Sequence, residues 1–191
     1  MKKTLTSTFL LLLSLYTAYP QGVPVPKIVK KDVIKAKHTK YDATYLSSGT
    51  AYLLDHSFNL PEIKNEDQIL FDQESRNVRV DRSAVADAVA RVMMKSRSKI
   101  KKSKFKPGMY IGMRFFVDNK TSKVLFTEFS IKHDQYNDLG FFRDLEDEFQ
   151  SAQAGKLMRI IGNVIPRIKT YGYLTSSATV TYYMLKDKVE L

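Results

Sequence analysis

Hydrophobic and polar side chains alternate most regularly between Gly108 and Ile131. Met109, Ile111, Met113, Phe115 and Val117 fall on one side of a period of two, with Tyr110, Gly112, Arg114 and Phe116 on the other. That period belongs to a strand with one buried face. Asp118-Asn-Lys-Thr-Ser122 interrupts it with short polar side chains that bond their own backbone in turns. The alternation resumes over Lys123–Ile131, so the stretch predicts a β-hairpin.

Helical spacing flanks the hairpin. Ala84, Val85, Ala88, Val89 and Val92 follow Asp81 and Ser83, either of which can accept the free N–H groups of a helix start, and predict a helix over Asp81–Lys99. Phe141, Phe142, Leu145 and Phe149, with Asp144, Glu146, Asp147 and Glu148 between them, predict an acidic amphipathic helix. Leu157, Ile160, Ile161 and Val164 predict a second helix that Pro166 stops or kinks. Tyr171-Gly-Tyr173 reads as a turn and Ala178–Leu185 as a final strand. Before the first helix, Pro24, Pro26 and Pro61 separate short apolar runs such as Ala51–Leu54 and Ile69–Phe71. The expected organisation is therefore an extended, irregular segment over residues 23–82 packing on an α+β domain of residues 83–191. That domain is a small antiparallel sheet packed against helices in the order α-β-β-α-β.

Composition changes this picture in three ways. Residues 1–22 carry Lys2 and Lys3, then the apolar run Phe9–Tyr16 and the small Ala18, which is the layout of an export signal peptide. The expected location is periplasmic or extracellular in a bacterial setting. With no cysteine, the chain has no disulfide, no thiolate nucleophile and no acylated-cysteine lipoprotein anchor. The formal net charge is +11, concentrated in Lys95–Lys106, where Lys99, Lys101, Lys102 and Lys104 are candidates to meet anionic lipid or acidic glycan. Nucleic acid is disfavoured, because Phe105 alone offers a ring for stacking inside that stretch.

Catalytic chemistry has no visible motif. His38, His56 and His133 stand apart from one another, and no pair sits at metal-ligand spacing. The eight glycines form neither a nucleophile elbow nor a phosphate cradle. Neither a cofactor nor a metal is expected. The acids Asp144–Glu148 read as a solvated helix face, since hydrolase carboxylates converge from different elements.

One resemblance emerges from the order of elements. Gly108, then Phe116-Val117-Asp118, Lys123-Val124, Arg159-Ile160-Ile161 with Pro166, and Thr179-Val180-Thr181-Tyr182-Tyr183 follow an outline that resembles the C-terminal domain of TonB energy-transducing proteins. The likeness spans Ser83–Leu185. Thr121-Ser122 departs from it where a turn glycine is usual, and no long proline-rich spacer precedes the domain. The resemblance implies a last strand at a sheet edge, open to an extended peptide from an envelope or outer-membrane partner. Thr179, Thr181 and Tyr183 would supply that edge, with Arg159, Arg167 and Lys169 on an adjoining helix end. The leading expectation is a non-enzymatic exported interaction module. A basic protein that binds anionic envelope surfaces is the alternative, and an enzyme built from dispersed residues is the third class.

Overall fold

The computed structural model describes residues 25–35, 40–95, 107–132 and 139–189. The export signal, His38, His133 and the basic candidates Lys99, Lys101, Lys102 and Lys104 lie outside the described residues. The chain is an α+β fold. Its strands are β1 (Ile28–Lys35), β2 (Lys40–Leu46), β3 (Thr50–Asp55), β4 (Val78–Val80), β5 (Tyr110–Asp118), β6 (Val124–Lys132), β7 (Met158–Ile160) and β8 (Tyr173–Thr181). The helices are α1 (Gln68–Ser75), α2 (Arg82–Lys95), α3 (Leu139–Ser151), α4 (Pro166–Lys169) and α5 (Tyr182–Val189). Six strands form one antiparallel sheet in the order β1-β2-β3-β6-β5-β8, and β4 pairs with β7 separately.

The hairpin forms as its alternation predicts. Phe115 faces Thr127 and Arg114 faces Glu128 across β5 and β6. Asp118 holds the turn by accepting from the backbone N–H groups of Lys120 and Thr121. Ser122 adopts a φ of 59°, the left-handed conformation for which glycine is the usual occupant. At the start of α2, Asp81 accepts from the N–H of Ala84 at 2.9 Å, so Asp81 is the cap.

One face of the sheet carries Ala43, Leu53, Ile111, Met113, Phe115, Phe129, Ile131 and Val180, all buried. Val85, Val89 and Val92 of α2 and Phe142, Leu145 and Phe149 of α3 supply the opposing core surface. Phe149 meets Phe115 edge-on at 5.2 Å, and Phe142 tilts against Phe129 at 5.1 Å. The other face is only half covered. There Phe58, Phe116, Phe126, Tyr173 and Phe71 pack together, and the Tyr173 hydroxyl donates to the Pro61 carbonyl at 2.9 Å. Residues 56–75 thus roof one end of this face and leave the other end open.

Three local expectations are corrected. Leu157–Ile165 is not a helix: Met158–Ile160 is strand β7, and Gly162 turns the chain at a φ of 82°. Pro166 opens α4 rather than ending a helix, because the first turn needs no N–H from it. The last strand is Tyr173–Thr181, and Tyr182–Leu185 belongs to α5, where Leu185 and Val189 face the core one turn apart. The stretch read as extended and irregular also supplies β2 and β3, which continue the main sheet beyond β6.

Candidate functional site: a polar cleft beside an open strand edge

On the half-open face, the side chains that alternate away from the core form the floor of a cleft of about 400 Å³. Gly112 and Arg114 come from β5, Glu128 and Ser130 from β6, Tyr52 from β3, and Thr175, Ser177 and Thr179 from β8. Asp72 reaches it from α1, with its carboxylate held by the Gln68 side-chain amide at 2.9 Å. Ladder register accounts for this convergence: Tyr52, Ser130, Gly112 and Thr179 are opposite one another in succession, and so are Glu128, Arg114 and Ser177. A Cβ on Gly112 would stand 2.1 Å from the Ser130 Oγ, so a larger residue there would make the Ser130 hydroxyl rotate away.

Glu128 is the unusual group. It is 6% exposed, and loss of hydration pushes its pKa up to about 7, with Arg114 drawing it back in part. The Arg114 guanidinium lies over the Phe116 ring at 5.5 Å. Among the described residues there is no group of three or more acids or histidines placed to hold a metal ion. The arrangement suits recognition: hydroxyl groups, one aromatic ring and three charges around an open space.

Beside the cleft lies the outer edge of β8. The Thr175 N–H donates to the Ser75 Oγ, so Thr175 turns its backbone away from β5. Antiparallel alternation turns Ser177, Thr179 and Thr181 outward as well. Ser75 occupies the first part of this edge, and the Ser176 hydroxyl donates to the Val78 carbonyl nearby. Among the described residues no hydrogen bond from Ser177, Thr179 or Thr181 leads away from β5. The opposite sheet edge, β1, carries Lys30, Lys31 and Lys35, whereas β8 carries no charge at all. Lysines discourage a further strand from docking, so β8 is the permissive edge.

The candidates from sequence are only partly gathered here. Thr179 lines the cleft and stands on the edge, and Thr181 closes the same strand. Tyr183 projects from α5, 61% exposed, not from a strand. Arg159 lies on β7 opposite Arg79, and no helix end places it beside β8. Arg167 pairs with Glu66 and Asp67, which fastens α4 to the 3₁₀ turn before α1. Lys169 is exposed on α4, and none of the three lines the cleft. His56 pairs with Asp42 at 2.8 Å on the surface. Arg114 and Glu128 were legible in principle, since two charges on the polar side of a hairpin face each other once the turn is placed. Tyr52 and Asp72 carry no such local signal.

Among the described residues, no helix is long and apolar enough to cross a membrane. No family model and no curated protein matches the chain. Among solved structures, it is similar to a crystal structure of a DUF5043 family protein from Bacteroides uniformis ATCC 8492. The identity is 12% and the TM-score 0.53, over 81% of this chain and 88% of that one. At that identity the likeness is one of fold, and it places this α+β architecture beside a bacterial protein.

Proposed function

We propose that the protein is a non-enzymatic, exported interaction module of the bacterial envelope that takes an extended peptide segment of a partner by strand addition to β8. The observation that carries this reading is the uncharged outer edge from Ser177 to Thr181, which has backbone groups turned outward beside a cleft. Backbone hydrogen bonds along that edge would provide affinity, and alternate side chains of the peptide would reach the cleft. Of the outline that resembles TonB C-terminal domains, the Gly108–Val124 hairpin and the strand through Thr179–Thr181 are in keeping with the same mode, whereas the Arg159–Pro166 helix is not formed; the leader at residues 1–22 supports the location.

Thr179→Pro tests the edge directly. Its N–H points away from β5, so the substitution leaves the ladder intact while removing a donor from the docking strand. The expected result is an unchanged circular dichroism spectrum and loss of a partner segment that the native chain holds, with the outward backbone amides of Ser177, Thr179 and Thr181 protected from exchange only in the native complex. Retention of the same segment by a folded Thr179→Pro variant refutes strand addition. Concentration-dependent self-association through β8, seen by sedimentation, would replace the peptide by a second copy of this chain.

A further inference from the structure

Glu128 holds a charge problem that its own fold does not solve. Glu128 as a residue is only 6% exposed and lines the cleft, yet among the described residues no hydrogen bond or ion pair reaches its carboxyl. Arg114 stands opposite in the ladder but spends its guanidinium face on Phe116. The charged and titratable groups around Glu128 are Arg114 from β5, Tyr52 from β3 and Asp72 from α1, while β8 contributes only hydroxyls. Two acids therefore face one base around an accessible space. Of these charges Glu128 is the desolvated one, where a counter-ion gains most because water screens it least.

We infer that the cleft is a subsite for a cationic side chain, a lysine ammonium or an arginine guanidinium, which meets Glu128 with Asp72 at the mouth. The source of that cation rests on the strand-addition reading: a peptide strand beside β8 points every second side chain to the face where the cleft opens. An anionic side chain would have to approach Glu128 and Asp72 for the sake of Arg114, which is partly exposed and already stacked. Seating a cation favours ionised Glu128, so below neutral pH a proton leaves as the ligand enters.

The subsite can be tested without any peptide. The full chain is titrated with n-butylguanidinium and, separately, with butyrate, following glutamate carboxyl carbons and backbone amides by NMR. The guanidinium probe is expected to shift the amides of Ser130 and Thr179 and to lower the titration midpoint of Glu128 from about 7. Its affinity should rise about tenfold between pH 6 and pH 8, as Glu128 passes from mostly protonated to mostly ionised. Glu128→Gln should weaken binding and flatten that pH dependence. The exposed Asp72→Asn should weaken it less, without risk to the core. Tighter binding of butyrate, or a guanidinium response unchanged in Glu128→Gln, overturns the inference. Should the probe bind as described while Thr179→Pro still holds the partner segment, the cation subsite stands and the strand-addition reading falls.

Discussion

Glu146 enters the core from α3 with none of its surface exposed, above a row of side chains made by Tyr41, Asp55 and Thr127. One carboxyl oxygen accepts from the Thr127 N–H, while the other, with the Tyr41 hydroxyl and the Thr127 hydroxyl, is buried without a partner. Burial pushes the pKa of Glu146 up to about 7, with Asp55 reinforcing the rise and the Thr127 N–H and Arg143 opposing it. A proton on that oxygen turns it into a donor among acceptors. The sign for stability follows from the raised value. The folded chain holds a proton that the unfolded chain has released, so this contribution is fully present below about pH 4.5 and is lost as pH rises through about 7. Glu146→Gln keeps the acceptor for Thr127 and adds a permanent donor. It is expected to stabilise the protein at pH 8 by roughly 2–3 kcal/mol and to change it little at pH 4.5, as read from urea midpoints at the two pH values. Glu128 adds a second loss over the same window.

Elements are held by two kinds of contact here, rings in the core and single polar groups at the ends. Phe149 fixes α3 to the sheet through Phe115 and is fully buried. Phe149→Ala is expected to cost about 3–5 kcal/mol, through lost burial and the cavity it leaves, in a denaturant melt. Asp81→Ala removes the cap of α2 and is expected to cost about 1 kcal/mol by the same measurement. The contrast tests whether packing or termination dominates these helices. Element type was legible where one period ran unbroken, as in β5, β6, α2 and α3. It was not legible at Met158–Ile160, where three residues are too short to show a period and Leu157, Ile160, Ile161 and Val164 mimic a helical stripe. Nor was it at Thr181-Tyr182, where apolar residues continue across the change from strand to helix.

The whole molecule is a sheet with two different edges. β1 presents Lys30, Lys31 and Lys35, with Lys30 paired to Asp32 at 2.8 Å on an exposed strand that also carries Val29 and Val33. Replacing these three lysines with threonine removes the charge that keeps a further strand away. The triple variant is expected to associate in a concentration-dependent way by sedimentation, more than the native chain does. Equal behaviour would show that β1 needs no such protection. At the other end, the aromatic roof of residues 56–75 divides one sheet face into a closed half and the cleft. The same roof ends at Ser75, which takes the outward Thr175 N–H at the start of the β8 edge.

Sequence alone determined the local events whose cause is local: the Gly108–Ile131 hairpin with Asp118 in its turn, the capped α2 helix, the amphipathic α3 helix and the α+β class. Each depends on spacing within a dozen residues, which periodicity records. Only the tertiary structure decided which strands are neighbours and that Ala51–Leu54 joins the sheet beside β6, while the edge position of β8 agrees with what the resemblance implied. The cleft belongs to that second group. Its floor is a ladder of residues from Tyr52 to Thr179, brought together by pairing across four strands, and a strand's own sequence does not state which partner it will meet.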